Sequence, residues 1–381
     1  MVVTDLSSSR WPELPSVLDA ASLSEAAVTL VSSVRERPDL PARLAKMALV
    51  LRSKHQDSDA RALARAARAL DDADYRLRIM TEWCVREQAP TWHFDIIADE
   101  VRNETYGRAL EAVVKPGMTV LEIGTGTGLL SMLAARAGAA HVYTVEREPD
   151  VARAAREIIA RNDMADRITV IDKDAHELRL GEDLPRRADV FVAELVDDSL
   201  LGEDVLGLTR LARERFLVDD AILLPSEVSA IGCVVAADEQ HHKRYRMADV
   251  MGFDLTPFNR FSPVRSSWYD MTQGRDVVPL SEPTTLLHLD LTRDVPKEAS
   301  TAVSLTITRP GKAEGVMRWL RLDFGHGIVY EVRPPKRSCW TPLVHHLRAP
   351  LDLAPGDAVE VEVSYRGVNL FLVPKVVGLN T

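Results

Sequence analysis

The order of apolar and polar positions divides the chain into three stretches of different period. From Ser22 to about Gln88 apolar residues recur at helical spacing, as in Leu44, Met47, Ala48 and Leu51, with Pro38 and Pro41 punctuating the pattern. Three or four short helices follow from it. Leu63, Ala67 and Leu70, then Tyr75, Leu77 and Met80, predict a helical hairpin over Asp57 to Glu87, turned at Asp71, Asp72 and Asp74. One such unit falls short of the roughly three a solenoid needs to bury a continuous core. A packed appendage or dimer surface is the expectation.

Between Lys115 and Leu223 short apolar runs alternate with helical stretches. Thr119 to Ile123, His141 to Val145, Ile168 to Ile171 and Val190 to Ala193 predict parallel strands, with crossover helices at Leu129 to Ala137 and Pro149 to Asn162. This is the pattern of a doubly wound sheet. After Pro225 the segments Ser229 to Ala236, Thr284 to Leu291, Val303 to Ile307, Met317 to Phe324, Val359 to Tyr365 and Leu370 to Val373 are β-rich and separated by turn residues. They predict an antiparallel barrel or sandwich. The expected division is a helical domain at 1–88, an α/β Rossmann-like domain at 89–224 and a β-barrel domain at 225–381.

Composition narrows the class. Hydrophobic residues make up 46% and charged residues 27%, as in ordinary globular proteins. A net charge of -10 argues against a nucleic-acid coat and suits a cationic substrate. Cys84, Cys233 and Cys339 stand far apart without metal-ligand spacing, so no metal site is expected. The first residues lack signal-peptide character and no apolar run reaches membrane length. A cytoplasmic protein with no membrane or nucleic-acid partner is expected. The wealth of Ala, Arg, Asp and Val resembles that of high-GC bacterial proteins.

Chemistry first appears at Glu122-Ile123-Gly124-Thr125-Gly126-Thr127-Gly128, where a strand runs into a glycine turn and a helix. Dinucleotide enzymes share such turns. Two acids favour S-adenosylmethionine instead: Glu122 before the turn, and Glu146 at the end of the next strand, placed to accept both ribose hydroxyls. Ala175 and His176, after the third strand, are candidates for the adenine edge, against the alternative of a solvated loop.

The fourth strand ends at Glu194 and continues Leu195-Val196-Asp197-Asp198-Ser199-Leu200-Leu201-Gly202-Glu203. Here the sequence resembles the protein arginine methyltransferase family, whose double-glutamate loop has this spacing. A guanidinium stays protonated and presents forked N–H donors, which two carboxylates grip well. The resemblance implies Glu194 and Glu203 as catalytic and substrate-binding residues and S-adenosyl-L-methionine as cofactor. Asp99-Glu100-Val101-Arg102 is similar to the family's pre-core helix, so Arg102 inherits a pairing with the cofactor's methionine carboxylate; His93 falls where the family closes over the cofactor. Gly252-Phe253-Asp254 resembles the end of the family's dimerisation arm, expected near 240–260, which implies a homodimer.

Two departures stand out. The family's aromatic cofactor lid is replaced by Glu87-Gln88-Ala89-Pro90-Thr91-Trp92, and its Thr-His-Trp loop by Ser338-Cys339-Trp340. Trp340 remains able to stack on a guanidinium or to serve as a core residue. The double-glutamate loop looks most like the monomethylating branch. With the bacterial composition, the resemblance implies monomethylation of free L-arginine in natural-product biosynthesis, similar to the route to streptozotocin. The alternatives are an arginine-containing polypeptide substrate, a different nucleophile, or a non-catalytic cofactor-binding interaction protein.

Overall fold

The computed structural model describes residues 6–85, 92–236, 247–267, 278–334, 336 and 338–376. The chain divides into two compact units, Met1–His93 and Phe94–Thr381. In the first, helices α1 (Leu14–Val17), α2 (Glu25–Val34), α3 (Leu40–Ser53), α4 (Asp57–Leu70) and α5 (Tyr75–Val85) gather Leu14, Val31, Leu40, Leu44 and Leu63 into one apolar core. The predicted hairpin is α4 and α5. Asp71 and Asp74 make its turn by accepting the main-chain N–H groups of Asp74 and Arg76. Buried Asp59 accepts from the N–H and hydroxyl of Ser24, the N-cap of α2, and so ties α2 to α4. Helix α6 covers Trp92–Ala98. The expected lid segment from Glu87 to Thr91 lies outside the described residues.

The second unit opens with α7 (Glu100–Val113) and continues β1 (Thr119–Ile123), α8 (Leu129–Arg136), β2 (His141–Glu146), α9 (Pro149–Arg161), β3 (Ile168–Asp172), β4 (Ala188–Ala193), α10 (Val205–Arg215) and β5 (Leu217–Leu224). All ladders are parallel, in the order β3-β2-β1-β4-β5. Strand order reverses between β1 and β4, so their carboxyl ends frame the crevice where such sheets hold ligands. The four predicted strands are present. The fifth, β5, escaped prediction because exposed Asp219 and Asp220 break its apolar run.

The antiparallel region comprises β6 (Glu227–Ala236), β7 (Asp249–Val250), β8 (Phe253–Asp254), β9 (Arg265–Ser267), β10 (Val278–Pro279), β11 (Thr284–Asp290), β12 (Glu298–Thr306), β13 (Gly311–Asp323), β14 (Val329–Glu331), β15 (Leu343–Leu353), β16 (Ala358–Arg366) and β17 (Asn369–Val376). One sheet runs β10-β6-β13-β15-β9, with β11 on β6 and β14 on β13; another runs β12-β16-β17. The expected barrel is thus built from two antiparallel sheets, and Leu224, Leu286, Leu322 and Val361 join the same core as the parallel sheet. Of the expected arm, 240–246 lie outside the described residues. The rest holds the β7–β8 hairpin and a turn at Thr256–Phe261, with Met251, Phe253 and Phe258 exposed. Among the described residues no helix is long and apolar enough to cross a membrane.

Candidate active site

The glycine turn closes the carboxyl end of β1. Gly124, Gly126 and Gly128 all have positive φ, +87°, +52° and +79°, a region that side-chain-bearing residues disfavour. The N–H groups of Gly124 and Thr125 both donate to the Val145 carbonyl at 2.9 and 3.1 Å, binding the turn to the end of β2. Glu146 stands beside it. Its Oε2 accepts from Gly126 N–H at 3.1 Å and its Oε1 from Glu148 N–H at 3.0 Å.

Glu122 is placed differently from its neighbour on β2. Its side chain is buried beneath the turn, where Oε2 accepts from the hydroxyls of Ser131 and Thr144. Burial pushes its carboxyl up to about 7 against the opposing pull of those hydroxyls. The nearby 3-10 turn Ala175–Glu177 is capped by Asp174, whose carboxylate accepts from the His176 N–H and meets its imidazole at 2.8 Å. Ala175 is buried and His176 exposed. His93 belongs to the first unit, its ring stacked on Trp92 with centroids 3.8 Å apart.

Glu194 follows β4 directly, its side chain turned to the interior. Its Oε2 accepts from Arg102 Nη2 at 3.2 Å, while Glu194 Oε1 and Arg102 Nε are buried without a hydrogen-bond partner among the described residues. Arg102 also donates to Asn103 Oδ1 and lies over the Tyr106 ring, 4.9 Å from its centroid. Burial raises the Glu194 carboxyl, with Arg102 pulling the other way. Glu203 is pushed up to about 8 by burial, then by the charges of Glu194 and Asp197.

The loop between them is held from within and from outside. Leu195, Val196, Leu200 and Leu201 are buried. Asp197 accepts from the N–H groups of Ser199 and Gly202, and a Cβ on Gly202 would overlap its carboxylate. From the antiparallel half, Trp340 Nε1 donates to the Val196 carbonyl at 2.8 Å and Thr341 N–H to Asp198 Oδ1 at 2.6 Å. Trp340 is buried and packs edge-on against Tyr330. Its indole therefore braces the loop from a buried position.

Sequence reasoning missed the part played by Asp99. Its Oδ1 caps α7 by accepting from the Arg102 N–H at 2.8 Å, and its Oδ2 accepts from the Tyr330 hydroxyl at 2.7 Å and the Cys339 N–H at 2.9 Å. One carboxylate thus joins the helix bearing Arg102 to the loop bearing Trp340. An Asp three residues before Arg102 carried the capping signal; nothing in sequence announced Tyr330. Asp197 is engaged with the loop's own backbone and Asp198 with the Thr341 N–H, and no group of three potential metal ligands occurs among the described residues.

Residues 107–205 match a family model described as Ribosomal protein L11 methyltransferase (PrmA). The chain is similar to an Arginine N(omega)-methyltransferase of Streptomyces achromogenes subsp. streptozoticus, 36% identical over 75% of this chain and 79% of that protein. It is also similar to Protein arginine N-methyltransferase 7 of Drosophila yakuba, 31% identical over 69% of this chain and 40% of that protein. The rice protein of the same name, from Oryza sativa subsp. indica, is 31% identical over 65% of this chain. The match spans only 40% and 37% of the lengths of the fly and rice proteins. The fold is similar to that of a Trypanosoma brucei PRMT1 enzyme-prozyme heterotetrameric complex with AdoHcy, with TM-score 0.67 and 24% identity over 76% of this chain and 94% of that one. Arabidopsis thaliana Protein Arginine Methyltransferase 10 gives TM-score 0.62 and 18% identity over 76% of this chain and 98% of that one.

Proposed function

The chain belongs to the arginine N-methyltransferase family, and from that premise we propose that it transfers one methyl group from S-adenosylmethionine to a guanidino nitrogen of free L-arginine. The observation that carries this reading is the pair of half-buried acids on the loop after β4, Glu194 beside Gly124 and Glu203 farther along, with both carboxyls raised first by burial. Free arginine is supported by the 36% identity with the Streptomyces arginine N(omega)-methyltransferase, and monomethylation by the character of the double-glutamate loop.

The residues present fit the cofactor. The turn supplies glycines at positive φ, with open space around Gly126, and Glu146 is a strand-end acid suited to a ribose diol. Arg102 Nε, buried and without a partner among the described residues, suits a carboxylate. S-adenosylmethionine, when bound, supplies an electrophilic sulfonium methyl and leaves as a neutral thioether. In this reading Gly124, Gly126 and Glu146 hold the nucleoside, with Ala175 and His176 at the adenine edge, and Arg102 holds the amino-acid end. Glu122 supports the turn from below.

Glu194 and Glu203 accept paired hydrogen bonds from the guanidinium and orient one nitrogen toward the methyl group. The arriving cation favours ionisation of both acids. After transfer one carboxylate takes the proton released by the methylated nitrogen.

Exposed Met251, Phe253 and Phe258 support a homodimer assembled through the arm, and three unpaired cysteines support a cytoplasmic setting. Mass spectrometry of parallel reactions with free arginine and an arginine-rich peptide tests the substrate and the methylation number together. Monomethylarginine from the free amino acid is expected. Modification of the peptide alone would reassign the substrate, and cofactor binding without methyl transfer to either would favour an interaction protein.

A further inference from the structure

Arg318 sits where an aliphatic residue is expected. It lies on β13, the central strand of its sheet, paired with Gly232 on β6 and Leu343 on β15. Val316 and Leu320, two positions away on either side, point into the main apolar core. Arg318 itself is only 2% exposed. Burying a guanidinium is costly unless its donors are met. Here Nε and Nη1 have no hydrogen-bond partner among the described residues. Its one recorded hydrogen bond runs from Nη2 to the main-chain carbonyl of Asp198, midway between Glu194 and Glu203. A leucine would serve the core better, so the position is not explained by stability.

The charges around Arg318 are Asp198 and Asp197 from the loop and Arg265 from β9. His345 on β15 also faces it and is held neutral, down to about 3, first by burial and then by Arg318. Asp197 lies close enough to Glu203 to raise its carboxyl. Resting on the function proposed above, we infer that Arg318 is a positioning residue for methyl transfer. It pins the Glu194–Glu203 loop through the Asp198 carbonyl and balances the Asp197 and Asp198 carboxylates behind the guanidinium site. It touches neither substrate nor cofactor, and acts through where the two glutamates stand.

The test compares the full-length wild type with Arg318→Met and Arg318→Lys. Steady-state methylation of free arginine is followed from pH 6 to 9.5, with S-adenosylhomocysteine binding by calorimetry and thermal melting alongside. Arg318→Met is expected to raise KM for arginine at least tenfold, leave cofactor affinity within about twofold, and move the acid limb of the kcat/KM profile to higher pH. Arg318→Lys keeps the charge without the fork. It should raise KM while leaving that limb in place. Arginine kinetics within twofold of wild type in a folded variant would overturn the inference, as would arginine and cofactor binding falling together. If Arg318→Met does not fold, Arg318→Lys decides alone, an unchanged KM counting against. A wild-type chain that binds cofactor but methylates no arginine would refute the proposed function instead.

Discussion

Arg102 and Glu194 form an ion pair in the interior of the second unit, Nη2 to Oε2 at 3.2 Å, with side chains only 6% and 9% exposed. Each keeps one buried polar atom without a partner among the described residues, Nε on the arginine and Oε1 on the glutamate. The pair's unmet atoms suit an anion at the arginine and a cation at the glutamate. Removing one partner of such a pair leaves an uncompensated buried charge, worth about 3 to 5 kcal/mol. Arg102→Met is therefore expected to lower stability by about 3 kcal/mol at pH 8. The Glu194 carboxyl is already raised by burial, so the loss should shrink at a lower pH that protonates it. Chemical denaturation at the two pH values checks this, and calorimetry should show weakened S-adenosylhomocysteine binding.

Glu203 is expected to make activity depend on pH near neutrality. Its carboxyl is pushed up to about 8 in the free protein by burial and the charge of Glu194. A cationic substrate needs it ionised, so kcat/KM for arginine should climb from pH 6 and level above about 8. The stability consequence has the opposite sign. A carboxyl raised on folding contributes stability below its unfolded value that is lost as pH rises through the folded one. Glu203→Gln should thus abolish turnover yet melt higher than wild type at pH 9, with little difference at pH 4. A flat kcat/KM profile between pH 6 and 8 would remove the basis for this coupling.

The doubly wound sheet was legible because Val120, Leu121, Val190 and Phe191 form uninterrupted apolar runs, as strands covered on both faces must. β15 was not, since Leu343–Leu353 carries two histidines, an arginine and a proline that obscure any alternation. Glu194 and Glu146 were readable from their positions at strand ends, and Glu203 from its spacing after Glu194. The bonds that hold them were not. Asp99 and Tyr330 are separated by 231 residues, and the Arg318 contact with Asp198 spans 120, so local pattern carries no trace of either. Trp340 shows the same limit: its identity was visible, its hydrogen bond to Val196 was not.

Gly202 has an ordinary backbone conformation, so strain does not explain it. What demands glycine is the Asp197 carboxylate, which accepts its N–H at 2.9 Å and occupies the space a Cβ would fill. Gly202→Ala should displace Asp197 and with it Glu203, the next residue along. The expected outcome is at least a tenfold fall in kcat/KM for arginine, with S-adenosylhomocysteine affinity unchanged because the glycine turn is untouched. Equal losses of both would mean that the loop and the turn move as one body.

Tyr330 helps join the Ser338–Trp340 loop to α7. Asp99 accepts both the Tyr330 hydroxyl and the Cys339 main-chain N–H. Hydrogen bonds to a carboxylate contribute about 1.5 to 3 kcal/mol when buried, and Asp99 retains two N–H donors without Tyr330. Tyr330→Phe is accordingly expected to cost about 1.5 kcal/mol in denaturant melts. The edge-on packing of the ring against Trp340 survives the change, so the fold should hold while the Ser338–Trp340 loop loosens. Because that loop braces Val196 and Asp198, kinetics should register a higher KM for arginine. If Tyr330→Phe leaves KM and stability at wild-type values, Asp99 is not the joint between α7 and the Trp340 loop.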